Sequence, residues 1–284
     1  MTSEGQGKDA AGAVQALPPL KPKNYARMAT WTAAAILLVL IYNWSFCAVE
    51  FDAAKLVGGL PNMVEFIQEA FPPDWSILAT VFDETLKTIQ IALISTTIAT
   101  VFALPLSFIA AMDLARCRPW QRAPLAAIKW FSRFVFNFVR SIDTLIFALI
   151  FVYAVGIGPF SGMLALAIHS IGMLGKLFTE VIESIDRGPV EALEAVGAGR
   201  LATKRWAVWP QVAPMFVSYF LYRFEINIRV AVVLGLVGAG GIGFLLYQYM
   251  NLGQFQKVLV VVLSILVLVM SLDHITSWMR KKVG

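Results

Sequence analysis

Long uncharged runs recur along the chain, separated by short polar stretches, and each run is long enough to matter. Ala29 to Cys47 is uncharged for nineteen residues; at about 1.5 Å per helical residue, this crosses most of a bilayer core of about 30 Å. Five further runs follow at about 88–112, 134–155, 162–185, 212–237 and 258–276. The pattern predicts an all-α polytopic membrane protein with six transmembrane helices, preceded by a mobile tail over 1–27, so that the membrane domain occupies 28–284. Pro105 inside the second run is a tolerated kink. Arg140 and Asp143 interrupt the third, and Gly156 to Pro159 form a turn before the fourth. Between the first two runs, seven acids outnumber Lys55, and residues 61–71 predict a short interfacial helix that Pro72 and Pro73 end.

The longest polar interruption between the later runs, residues 188–210, has its own pattern. Pro189 suits the first position of a helix, and Glu191 and Glu194 favour its positive end, so Pro189 to Val196 predicts a short helix. Gly197 and Gly199 stop it. A second short helix is expected from Arg200 to Val208, ending where Pro210 opens the fifth run.

Composition agrees with the pattern: 58% of the 284 residues are hydrophobic and 14% charged, with a mean hydropathy of +0.72. Those values lie outside the range of a soluble domain. The net charge of +5 could suggest nucleic acid, but its distribution decides otherwise. Lys8, Lys21, Lys23 and Arg27 lie in the amino tail; Arg116, Arg118, Arg122, Lys129 and Arg133 follow the second run; Arg187, Arg200, Lys204 and Arg205 lie around the polar loop; and Arg280, Lys281 and Lys282 end the chain. The opposite side has only Lys55, Lys87 and Lys257. The positive-inside rule therefore places both termini and the 188–210 loop in the cytoplasm, and nucleic acid is not an expected partner. Cys47 and Cys117 share no close spacing, and His169 and His274 are too few for a cluster, so no metal is expected. No phosphate-binding loop, zinc motif or nucleophile with a positioned base is present, so the chain is not expected to be catalytic, and any ATP must be bound by another subunit.

Charges inside the runs mark the candidate chemistry. Arg140, Asp143, Lys176, Glu180, Arg223, Glu225 and Arg229 sit where an ionised group costs roughly 2.5–3.5 kcal/mol, so each needs a partner or a watery pathway. Lys176 and Glu180, like Glu225 and Arg229, are four apart and can neutralise each other on a helix face. Arg223 has no acid at three or four residues, and with Asn227 one turn away it is the leading candidate for an anion-facing group, against a structural bond to a neighbouring helix. His169 lies in an apolar stretch, where an interhelical hydrogen bond is the plainer role. Gly238, Gly240, Gly241 and Gly243 crowd the end of the fifth run and predict a bend or gate, or close helix packing; they have no strand before them and form no dinucleotide loop.

Glu191 and Ala192, Gly197, and Pro210 thirteen residues later resemble the EAA loop by which membrane subunits of bacterial ABC importers dock into their ATPases. Leu193, Ala207 and Trp209 depart from the usual alanine, isoleucine and leucine. His169 to Leu177, Tyr222 to Arg229, Val237 to Gly243 and the Val155 to Phe160 turn together look like the permease subunit of phosphonate and phosphite ABC importers, over nearly everything after residue 50. The resemblance implies a type I importer permease fold with a cytoplasmic coupling-helix loop. It also implies a homodimer of this chain with two ATP-binding subunits, which hold ATP and Mg, and one periplasmic substrate-binding protein. Glu191, Ala192, Gly197, Arg200 and Pro210 would couple to the ATPase; Arg223, Asn227, Arg229, Glu225, Arg140, His169 and Lys176 are candidates for the substrate pathway. Other readings stay open. A permease for methionine or another small solute would share the loop. A secondary transporter or channel would need two matching halves, where one loop and no repeat are evident. A membrane enzyme acting on lipid-linked phosphate would need a nucleophile.

Overall fold

The computed structural model describes residues 25–49, 52–112 and 119–283; of the tail expected over 1–27, residues 1–24 lie outside them, as do Arg116, Cys117 and Arg118, while residues 25–27 open a helix. All its regular elements are helices. The chain divides into two units, residues 1–61 and 62–284. The first holds α1 (Tyr25–Ala48), a 24-residue apolar helix with exposed side chains, and the opening turns of α2 (Ala53–Ala70), which continues through Pro61. The expected interfacial helix is thus longer than its 61–71 pattern, although it ends, as expected, just before the two prolines.

The second unit holds the remaining helices. After a short turn at Trp75–Ile77 come α3 (Leu78–Ala110), α4 (Pro119–Ser141), α5 (Thr144–Val155) and α6 (Pro159–Glu183). Then come α7 (Gly188–Ala195), α8 (Arg200–Thr203) with a π-helical turn at Lys204–Val208, α9 (Trp209–Gly235), α10 (Ile242–Asn251) and α11 (Phe255–Val283). α3 and α6 form the central pair, with α9 against both and α11 outside α9. The core of that pair is made of small residues. Thr88, Ala92, Ser95, Ala99, Ala103, Ser107 and Ala110 recur every three or four residues along α3 and are buried, which lets the helix backbones approach closely in a setting where lipid offers no hydrophobic drive. Their hydroxyls return to carbonyls of the preceding turn, as Thr96 does to Ala92 at 2.6 Å, so none is left unpaired in an apolar medium.

Four helices are long and apolar enough to cross a membrane among the described residues, and α4 with α5 make a fifth if their bent pair is one span. α9 has the length, at 27 residues, but carries Arg223, Glu225 and Arg229 in its middle. Six apolar spans are therefore not all present as such. The third expected span, 134–155, is the clearest difference: α4 and α5 meet at 88°. Asp143 causes the break, because its carboxylate accepts the Leu145 amide at 2.8 Å and caps a new helix in place of continuing the old one. The second helix expected in the polar loop also does not stop at Pro210. The π turn, with the Trp209 amide reaching back to Lys204 O, carries the chain directly into α9, and Pro210, with no amide to donate, sits in α9's first turn where none is needed.

Candidate functional site

Two places gather the residues singled out above. The first is the polar loop. α7 is anchored from beneath: Val190 is buried with Leu174, Phe178, Ala207, Val208 and Phe216. Asp186 and Gln211 then tie the loop's two ends together. The Asp186 amide donates to Gln211 Oε1 at 3.0 Å, Gln211 Nε2 donates to Asp186 O at 3.2 Å, and the Asp186 carboxylate accepts the Gly188 amide at 3.0 Å. This clamp was missed in the sequence, where 25 residues separate its members and only an Asp two positions before Gly-Pro hints at a cap.

What the anchoring leaves outside is informative. Glu191, in the first turn of α7, and Ala192 are exposed. Gly197 has φ +80 and turns the chain, its amide bonded to Glu194 O and that of Ala198 to Leu193 O, each at 3.0 Å. Arg200 opens α8. Val196, Leu201 and Trp206 are 78%, 83% and 68% exposed. An apolar patch on a basic loop, held rigidly from below, has the make-up of a docking surface.

The second place lies near the middle of α6 and α9. Arg223 is only 3% exposed. It donates Nε to Ser170 Oγ at 2.9 Å and Nη2 to His169 Nδ1 at 2.7 Å. Because a guanidinium stays protonated and offers only donors, Nδ1 must accept, so His169 is neutral with its proton on Nε2. Asn227, fully buried, donates Nδ2 to Thr96 Oγ1 at 2.8 Å and to Ser170 Oγ at 3.0 Å, joining α3, α6 and α9. Ser170 and Thr96 were not singled out beforehand; small hydroxyl residues in apolar runs are too common to stand out. No carboxylate pairs with Arg223 among the described residues, so a guanidinium sits in the middle of α9 with only neutral acceptors. Asp143 is exposed at the α4/α5 break.

The other pathway candidates lie apart from this cluster. Lys176 pairs with Glu180 at 3.3 Å. Glu225 and Arg229 belong to a lattice between α9 and α11: Glu225 accepts from Arg229 at 2.9 Å, Arg280 at 3.0 Å and Thr276 at 2.9 Å, and Arg229 also pairs with Asp273 at 2.6 Å. Arg140 is exposed in the last turn of α4, three residues before Asp143. Gly238, Gly240 and Gly241, with φ of +91, +77 and +74, make the turn between α9 and α10, and Gly243 lies just inside α10. That turn is pinned, because the Ile242 amide donates to Thr88 Oγ1 and the Gly158 amide to Gly238 O, each at 2.9 Å.

Comparison with known proteins decides the class. Residues 103–284 match the family of binding-protein-dependent transport system inner membrane components. The chain belongs to this family. Within it, the transport component is 37% identical over 276 residues to the phosphite transport system permease protein PtxC of Stutzerimonas stutzeri, covering 94% of this chain and 97% of PtxC. It is 38% identical over 249 residues to the protein named putative phosphite transport system permease HtxC of the same organism, covering 88% of this chain and 85% of HtxC. Its fold resembles a chain of the MetNI methionine ABC transporter, with a TM-score of 0.63 at 21% identity over 74% of this chain and 99% of that one. The 188–210 loop and the cluster residues His169, Ser170, Arg223 and Asn227 lie inside the matched family region, and Thr96 lies before it.

Proposed function

We propose that this chain is the membrane-spanning permease of an ATP-driven importer that carries phosphite or a phosphonate from periplasm to cytoplasm. Likeness to phosphite permeases along almost the whole chain supports the substrate class. The observation that carries it physically is the buried Arg223 guanidinium, held in the middle of α9 by neutral acceptors. A cation without a counter-charge in a low-dielectric setting attracts an anion, and a phosphorus oxyanion offers oxygens that match its fork of donors. Ser170 and His169 hold Arg223 in place, and Asn227 in turn holds Ser170; Arg140, exposed at the end of α4, is a separate candidate for the route.

In this reading two copies of the chain pair, two ATPase subunits bind ATP and Mg, and a periplasmic binding protein delivers the anion. The chain itself performs no catalysis, and both its termini face the cytoplasm. Glu191, Ala192, Gly197, Arg200 and Pro210 form the coupling surface. Closure of the ATPases moves the paired loops together, and the Asp186–Gln211 clamp passes that movement to α6 and α9, which carry Arg223. The glycine turn at 238–241 is the outer gate.

The test is ATPase activity of this chain co-purified with its ATPase in lipid, with the binding protein loaded in turn with phosphite, a phosphonate or methionine. Stimulation by the phosphorus anions alone is the expected result; stimulation by methionine alone sinks the substrate assignment, and no association with an ATPase sinks the importer reading. The coupling surface has its own test. Glu191 is exposed, so Glu191→Ala should leave insertion and dimer mass unchanged while transport falls roughly tenfold, the loss of about one hydrogen bond to a charged group at 1.5 kcal/mol. Normal uptake in proteoliposomes made with this variant would remove Glu191 from the coupling surface.

A further inference from the structure

A cavity of about 930 Å³ lies behind the docking loop, walled by the ends of α3 and α6 and by Lys129 of α4 on one side and by α7 and the π turn on the other. Its chemistry is mixed in a specific way. Phe108, Ile182, Val190 and Val208 give it apolar walls, and Lys129 and Lys204 bring two ammonium groups to it. Lys129 Nζ donates to Met112 O at 2.8 Å, and Lys204 Nζ stands 5.7 Å from the centre of the Phe108 ring. Neither lysine meets a carboxylate among the described residues. The acids on the wall are otherwise engaged: Glu183 pairs with Arg133, and Glu194 has its own contact. Lys129 and Lys204, with Arg187 on the same partly apolar wall in a contact of its own, concentrate positive potential there, and each ammonium keeps donors to spare.

We infer that this cavity is a binding site for a phosphate-type anion, served by Lys129 and Lys204. Its apolar walls favour a ligand whose phosphate carries an apolar body, the headgroup region of an anionic phospholipid, over a free oxyanion. The site lies at the membrane face that carries the basic loops, where basic pockets between helices meet anionic lipid. Val190, Glu194 and Gly197 of the docking loop form part of its wall, so an occupant braces the loop from behind. The inference goes beyond the transport reading and needs neither the substrate nor the ATPase assignment.

Amine acetylation of the full chain in nanodiscs tests it. The reactive fraction of an amine falls to about one eleventh when its ligand is present at ten times the dissociation constant. In phosphatidylcholine with phosphatidylglycerol, labelling of Lys129 and Lys204 should therefore slow roughly tenfold relative to phosphatidylcholine alone. Lys282, at the end of α11, serves as the reference for general attraction of lipid to the surface and should slow much less. Protection by inorganic phosphate in phosphatidylcholine, equal to that by the lipid, would keep the anion site and overturn the lipid preference. Protection at Lys129 and Lys204 no greater than at Lys282, with either probe, overturns the site itself. Native mass spectrometry gives a second readout: bound phosphatidylglycerol should survive in Lys204→Arg and be lost in the Lys129→Gln, Lys204→Gln double variant. Retention of the lipid by the double variant overturns the assignment of the two lysines.

Discussion

Arg223→Gln is expected to lower phosphite or phosphonate transport roughly 10- to 150-fold, because it removes a charge-assisted contact worth about 1.5–3 kcal/mol to the passing anion. The comparison with Arg223→Lys separates this from a structural effect. Lysine keeps the positive charge but cannot reproduce the fork that reaches Ser170 Oγ and His169 Nδ1 together. If the charge serves the anion, the lysine variant should retain much of the transport that glutamine loses. If Arg223 only ties α6 to α9, both variants should lose thermal stability and transport in step. Concentration-dependent uptake in proteoliposomes, measured beside thermal unfolding of the same preparations, distinguishes the two; equal losses in both variants would remove Arg223 from the pathway.

The largest effect on folding is expected at Gly243. A Cβ there would stand 1.8 Å from Val232 O and 2.8 Å from Val232 C, and both are backbone atoms of the facing helix that no side-chain rotation can move. Gly235, on the other side of the same crossing, would meet Phe244 N at 2.5 Å. The two glycines thus let α9 and α10 cross almost backbone to backbone. Overpacking commonly costs about 1–3 kcal/mol when side chains can yield, and here none can, so Gly243→Ala should exceed that range and prevent recovery of folded protein. Gly58→Ala is the matched control: its site in α2 is open, with nothing within 4 Å, and alanine there should be neutral or stabilising by about 0.5–1 kcal/mol. Yield of monodisperse protein from membranes checks both, and normal yield of Gly243→Ala would mean that the α9–α10 crossing is looser than described.

Much of the site was legible because charge in an apolar run is rare. Arg223 stood out on that ground, Asn227 by lying one turn from it and His169 as a polar ring in an apolar stretch, and the structure brings these three together. Arg229 and Glu225 stood out equally, yet they face α11 and complete a separate lattice with Asp273 and Arg280. Spacing within one helix identifies i,i+4 partners but contains no information about which neighbouring helix covers that face. The same limit hid Ser170 and Thr96, whose importance comes only from lying against Asn227. It also hid the Asp186–Gln211 clamp.

By itself, the sequence determined the class of protein, the apolar runs and the helix–glycine–helix form of the loop. Those properties depend on local composition and on backbone rules that act within a few residues. Only the tertiary structure decided that the third run breaks at Asp143 into helices 88° apart, that the loop's second helix runs on into α9, and that Arg223 lies buried without a carboxylate partner among the described residues. In lipid, small residues set how closely helices approach, and that approach decides which polar groups meet; this is a property of helix pairs, which no single stretch of sequence contains.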